Sequence, residues 1–157
     1  MLVVCDTTPL NYLIQIDLVD LIPRLFTNAC IPQAVFRELL HPAAPSSVRK
    51  FAFSLPKWVS VQRAGAITDA TLLDLDPGER EAIALATALG AQFLLTDDYR
   101  ARMAARERGL IALTTLLILD AAADRGWISF RDALERLLKT NFRVDRFTID
   151  QLLKKHR

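Results

Sequence analysis

The sequence has little of what disulfide frameworks and zinc sites require. Its 157 residues include only two cysteines, Cys5 and Cys30, and two histidines, His41 and His156. Two cysteines do not make a disulfide framework, and their short apolar surroundings indicate buried structural thiols. The two histidines match neither the pattern of a catalytic thiol with its base nor that of a His-rich zinc site.

Long hydrophobic runs are also missing. No apolar stretch approaches the roughly 18 residues that a membrane helix needs, and the first residues, MLVVCD, lack the basic region and cleavage site of a signal peptide. We therefore expect a cytoplasmic protein with no membrane contact. Glycine and proline are sparse, at 5 and 7 residues, while 52% of the chain is hydrophobic. That composition excludes a disordered chain and suits one α/β domain.

Charge of one sign is not in large excess. The formal net charge of +2 does not by itself indicate a nucleic-acid partner. The basic residues nevertheless concentrate in two segments, one with Arg100, Arg102, Arg106 and Arg108 and the other at the C-terminus. For any one of these residues, a solvated helical face is a sufficient explanation.

Short apolar runs alternate with segments of helical periodicity along the chain. The predicted strands are 2–5, 29–31, 58–62, 91–95 and 110–113. Helices are predicted between them, including one over 17–25 and one that begins at Asp76-Pro77 and ends at Gly90. Strands that alternate with helices predict a parallel sheet of four to five strands with helices on both faces.

Several carboxylates lie where such a sheet binds ligands, at the carboxyl ends of its strands. Asp6 ends the first predicted strand, Asp97 and Asp98 end the fourth, and Glu79 begins the helix that leads into the fourth. Glu38 lies near the end of the helix after the second strand. Taken singly, each is explained by helix capping or the helix dipole. Together they would repel one another unless a cation held them, and oxygen ligands alone suit Mg²⁺ or Mn²⁺.

The ordered set of motifs resembles the PIN-domain nuclease superfamily, and in particular the PIN-like branch related to VapC-type toxins. The motifs are Asp6-Thr7-Thr8 after an apolar strand, Ile31-Pro32 leading to Glu38, LDPGEREAIALA, and FLLTDDYRARMA. The likeness covers nearly the whole chain. It implies a single PIN-like domain over 1–157, in which 127–157 is a helical C-terminal extension. One departure is Thr114-Thr115, which stands where the branch often has Gly-Thr.

The resemblance also implies roles for individual residues. The four acids that match the family's catalytic set are Asp6, Glu38, Glu79 and Asp98, and the implied metal ligands are Asp6, Asp98 and Glu79. Supporting roles fall to Thr8, Glu81, Thr96 and Asp97, among which Glu81 competes with Glu79 for the third acid. Contacts with RNA or a partner are implied for Arg100, Arg102 and Arg106.

The function that the resemblance implies is endonucleolytic cleavage of RNA by metal-activated water, with Mg²⁺ or Mn²⁺ as cofactor. A VapC-type toxin further implies a small antitoxin partner and a homodimer. The alternative is a catalytically silent PIN-like domain that binds RNA or protein. Apolar residues at helical spacing after Trp127 must pack either on a second copy or on the same chain.

Overall fold

The computed structural model describes all 157 residues and contains one five-stranded parallel sheet. The strands are β1 (Leu2–Cys5), β2 (Asn28–Pro32), β3 (Val59–Gln62), β4 (Phe93–Leu95) and β5 (Ile111–Leu113). Their order across the sheet is β3-β2-β1-β4-β5, so β1 is central. The α/β class and the parallel sheet predicted from the sequence are confirmed.

Nine helices surround the sheet. They are α1 (Thr7–Gln15), α2 (Leu21–Phe26), α3 (Gln33–Leu39), α4 (Ser46–Phe53), α5 (Pro77–Leu89), α6 (Tyr99–Glu107), α7 (Thr115–Asp124), α8 (Phe130–Leu138) and α9 (Arg146–Lys155). A short 3₁₀ helix covers Ala70–Leu72. No helix is long and apolar enough to span a bilayer.

The side chains of β1 alternate between the two faces of the sheet, and the core accordingly has two halves. Val3 and Cys5 point into one cluster, while Val4 points into the other. Helices α5 and α6 cover the second face, and most of the other helices cover the first. The two cysteines lie in opposite halves, and burial raises the pKa of both thiols, that of Cys30 to about 11.

Two predicted element starts differ from the structure by more than one residue. The helix predicted from Asp17 begins only at Leu21, since Asp17 has a φ of 59° and the chain turns there. The strand predicted from Ala91 begins at Phe93, because the Ala91 amide still donates to the Ala86 carbonyl at 2.9 Å. Gly90, with a φ of 64°, ends α5 as predicted.

The C-terminal helices pack on their own chain. In α8, Phe130, Leu134 and Leu137 are buried in the same cluster as β1. Helix α9 has no fully buried residue, and Lys155 near its end contacts Asp120 of α7 at 2.8 Å. Leu134 and Leu137 are therefore covered within one chain, whereas Leu138 of the same helix is 44% exposed.

Candidate metal centre

The sheet's topology brings two strand ends together at its centre. Strands β1 and β4 are neighbours, and the chain proceeds from them toward opposite edges, so this is a topological switch point. The Asp6 amide donates to the Leu95 carbonyl at 2.9 Å, which fixes the end of β1 beside the end of β4. Asp6 and the Thr96-Asp97-Asp98 segment therefore share one edge of the sheet.

Asp6 is the most buried acid at this edge, with only 4% of its surface exposed. One carboxylate oxygen accepts from the Thr7 amide at 2.8 Å, and the other accepts from the Thr96 hydroxyl at 3.0 Å. Burial raises the pKa of Asp6 to about 6, although these two hydrogen bonds oppose the shift. The negative charges of Glu38 and Asp97 raise it further, so both lie within electrostatic reach of Asp6.

Glu38 reaches the same edge from the last turn of α3. Its carboxylate accepts from the Thr7 hydroxyl, which couples it to the residue after Asp6. Gly78 of α5 lies against the opposite side of this carboxylate. A Cβ atom at position 78 would lie 2.9 Å from Glu38 Oε1 and 3.0 Å from Oε2, which is closer than real contacts allow. The glycine therefore leaves the space that the Glu38 carboxylate fills.

Glu79 follows Gly78 and faces the other acids. Burial raises its pKa to about 8, and the charges of Asp98 and Asp6 add to that effect. Asp76, one turn earlier, also raises the pKa of Glu79 through a hydrogen bond. From the sequence, the motif Asp76-Pro77 predicts only the start of a helix, and the effect of Asp76 on Glu79 is missed. The available signal was the spacing of three residues between the two acids, which places them on the same side of a helix.

Asp97 and Asp98 have different partners. Both oxygens of Asp97 accept from Thr115, one from its amide and one from its hydroxyl, each at 2.7 Å. Asp98 begins α6, where one oxygen accepts from the Ala101 amide at 2.9 Å. Burial raises the pKa of Asp97, while Thr115 and the positive charge of Arg102 lower it. Thr115, which belongs to the Thr114-Thr115 pair that differs from the Gly-Thr pattern of the branch, thus orients Asp97.

Two supporting residues lie elsewhere than the resemblance implied. Glu81 points to the start of α3, where it accepts from the Ala34 amide at 3.2 Å and lies 4.0 Å from Arg37. Thr8 is exposed and makes none of the hydrogen bonds around Asp6. The hydroxyls that donate to Asp6 and Glu38 belong to Thr96 and Thr7, respectively. Adjacent helical positions differ by about 100°, so neighbouring threonines cannot face the same acid.

The acids at the switch point have the donor chemistry of a site for a hard divalent cation, although no three of them have ligand atoms within 4.8 Å of one another. Asp6, Glu38, Glu79 and Asp98 supply only oxygen atoms, and none of them forms a salt bridge with a lysine or arginine. Burial is the main cause of the raised pKa values of Asp6 and Glu79, and the charges of neighbouring acids raise both further. Mg²⁺ and Mn²⁺ prefer such a donor set.

A second acidic group lies at the far end of α7. Asp120, Asp124 and His156 have ligand atoms within 4.8 Å of one another. The Lys155 ammonium, however, already contacts both carboxylates, at 2.8 and 3.0 Å. This group is better explained as an internal ion-pair network that holds α9 against α7.

Two open grooves flank the acids at the switch point. The groove on the Glu38 side has a volume of about 590 Å³ and is lined mainly by polar side chains, which are Asn11, Gln15, His41 and Asn141. The groove on the Asp97 side has a volume of about 600 Å³ and runs between α7 and the C-terminal segment. The C-terminal extension thus contributes to both sides of the site.

The fold and the site define an α/β protein with an acidic centre at the switch point of its sheet. The model of the family DUF3368, a PIN domain, matches residues 2–157. The chain therefore belongs to this family of PIN domains, which are generally nucleases. No curated protein and no solved structure gives a match.

Proposed function

We propose that this protein is a metal-dependent endoribonuclease that uses Mg²⁺ or Mn²⁺ to hydrolyse RNA phosphodiester bonds. The main support for the proposal is that Asp6, Glu38, Glu79 and Asp98 lie near one strand edge without a salt bridge to any basic side chain. The charge of Glu38 acts on Asp6, and the charges of Asp98 and Asp6 act on Glu79. Asp6, Asp98 and Glu79 would hold the ion. When bound, the ion supplies activated water and balances charge on the phosphate.

The residues of this chain hold the site in a fixed arrangement. Asp6 is held by an amide and a hydroxyl, and Glu38 is held between Thr7 and Gly78. Rigid placement of charge is what makes electrostatic stabilisation effective during reaction. Glu38 is not among the expected metal ligands, so it is the acid available to orient water or accept a proton.

The direct test is cleavage of a fluorescent single-stranded RNA in Mn²⁺ or Mg²⁺. Asp6→Asn keeps the shape of the side chain but removes its charge, and we expect the cleavage rate to fall by roughly 100-fold or more. Asp17→Asn is the matched control, because Asp17 is exposed at the other end of α1 and has a positive φ that asparagine tolerates.

Excess EDTA should abolish cleavage, and added Mn²⁺ should restore it. Cleavage that survives EDTA, or that is unchanged in Asp6→Asn, would contradict the proposal. A wild-type protein that binds RNA but never cleaves it would instead favour the silent binding domain.

We further propose that the protein acts as the toxin of a toxin–antitoxin pair, as a homodimer that binds a small antitoxin. This finer proposal rests on the resemblance to VapC-type toxins. It predicts that expression of the wild type slows growth of a bacterial host, whereas Asp6→Asn does not. If the wild type cleaves RNA in vitro but the host grows normally when it is expressed, the protein is a nuclease without a toxin role.

The arginines of α6 are proposed to contact RNA or the antitoxin. Arg100 and Arg106 are exposed, and Arg102 lines the groove beside Asp97. Charge reversal in Arg102→Glu with Arg106→Glu should weaken both contacts, more strongly at low salt. If copurified partners and RNA affinity are unchanged by the reversal, and the protein elutes as a monomer, the toxin proposal fails.

A further inference from the structure

The groove beside Asp97 combines features that the carboxylate site does not use. It opens between the start of α7 and the segment 142–152, and its volume of about 600 Å³ falls within the roughly 300–1,000 Å³ typical of small-ligand sites. Asp97 lines the groove, so the groove adjoins the acidic centre. Whatever occupies the groove therefore lies next to the acids.

One wall of the groove is apolar and partly open to solvent. Phe147 is 72% exposed and Leu117 is 41% exposed, although large apolar side chains usually avoid water. Phe142 forms the floor and is buried, where its ring meets Tyr12 edge-on at 5.1 Å. Phe142 is thus held in place by packing, while the Phe147 ring is accessible to a ligand.

The other features of the groove are its two arginines. Arg102 and Arg143 both line it, and neither forms a salt bridge. The Nε atom of Arg102 is buried and has no hydrogen-bond acceptor within the chain. The acids nearby are already engaged, since Asp97 binds Thr115 and Asp145 binds Thr148. Arg102 lies close enough to Asp97 to lower its pKa, and Arg143 donates to the Phe142 carbonyl at 3.0 Å. Neither guanidinium, however, forms a salt bridge with a carboxylate.

We propose that this groove is a nucleotide subsite for single-stranded RNA, next to the phosphate that is cleaved. The base stacks on Phe147 against the apolar wall, and Arg102 and Arg143 bind the adjoining phosphate. An exposed aromatic ring beside guanidinium groups that form no salt bridge is the combination that binds single-stranded nucleic acids. A base within a duplex is already stacked and paired, so the subsite selects unpaired RNA.

This inference deepens the proposed ribonuclease function and rests on it, yet binding can be measured apart from cleavage. The probe is a fluorescein-labelled, ten-nucleotide single-stranded RNA, bound in Mn²⁺ to the Asp6→Asn protein so that it stays intact. Phe147→Ala should raise the Kd by roughly tenfold, because stacking on one aromatic ring contributes an effect of that order. Phe147→Trp should retain affinity.

Matched controls lie on distant helices. Phe53 of α4 is 79% exposed, so Phe53→Ala removes an equally exposed ring from outside the groove. Arg143→Gln should reduce the slope of log Kd against log salt by about 0.7, since one phosphate contact is lost. Phe147→Ala should leave that slope unchanged, and Arg136→Gln on α8 should change neither quantity.

Several results would overturn the inference. Equal RNA affinity in the groove variants and the controls would do so, as would a duplex that binds as tightly as the single strand. Loss of a copurifying protein partner with unchanged RNA affinity would make the groove a protein surface instead. If the wild type cleaves RNA while the groove variants bind normally, only this inference fails. Groove-dependent RNA binding without cleavage would support it and refute the nuclease proposal.

Discussion

At the scale of single residues, Gly78 determines where the Glu38 carboxylate can lie. Any side chain at position 78 places its Cβ only 2.9 Å from Glu38 Oε1, so the end of the Glu38 side chain must shift. We predict that Gly78→Ala displaces Glu38 and lowers the rate of RNA cleavage by roughly 10- to 100-fold, the scale of effect seen for ångström-level misplacement. Its free energy of unfolding should change little, because alanine favours the helix by up to about 1 kcal/mol.

A double-mutant cycle separates this contact from general damage. Glu38→Asp withdraws the carboxylate by one methylene, so Gly78→Ala should have little additional effect on cleavage in that background. Full activity of Gly78→Ala alone would show that the close contact does not position Glu38. The sequence motif predicted Glu79 in this helix, but the reason for the neighbouring glycine depends on an acid 40 positions earlier.

At the scale of elements, α8 belongs to the core of the sheet. Leu137 is fully buried in the cluster that contains Val3 and Leu95, whereas its neighbour Leu138 is 44% exposed. We predict that Leu137→Ala lowers the free energy of unfolding by about 2–5 kcal/mol, because it removes buried methyl groups and leaves a cavity. Leu138→Ala should change it by less than about 0.5 kcal/mol.

Urea unfolding of the two variants measures this difference. Equal stabilities would mean that the C-terminal segment is a separable appendage rather than part of the core. The periodicity of this segment predicted a helix with an apolar face. It left open what covered that face, because a second copy of the chain would serve as well.

At the scale of the whole molecule, the acidic centre should make stability depend on pH. Folding raises the pKa of Glu79 to about 8 and that of Asp6 to about 6, so the folded state holds their protons more tightly than the unfolded state. Their ionisation therefore opposes folding. In EDTA, this part of the stability is present below about pH 4 and is lost as pH rises toward 8.

Thermal unfolding between pH 5 and pH 8 tests whether stability falls as pH rises. Without metal, the wild type should lose more stability over this range than Glu79→Gln, which cannot ionise at that position. Glu135→Gln, which alters an exposed acid on α8, should behave like the wild type. Mn²⁺ should stabilise the wild type more at pH 8 than at pH 6, because binding requires ionised ligands. Parallel losses in wild type and Glu79→Gln would refute this account.

The sequence by itself determined the class of fold and the order of its elements. Apolar runs such as Leu2–Cys5 are too short for buried helices, and their alternation with helical segments leaves a parallel sheet as the simple arrangement. Gly90 ended α5 as predicted, because left-handed backbone favours glycine. The motif set also indicated the PIN superfamily, which the family match confirms.

Only the tertiary structure decided which of two neighbouring residues faces the acidic centre. Glu79 and Glu81 both lie in the first turns of α5, but they are two positions apart and point about 200° away from each other. Glu79 meets Asp6 and Asp98, whereas Glu81 holds the start of α3. Sequence periodicity gives the angle between two side chains, but packing against the rest of the molecule sets the direction of either one.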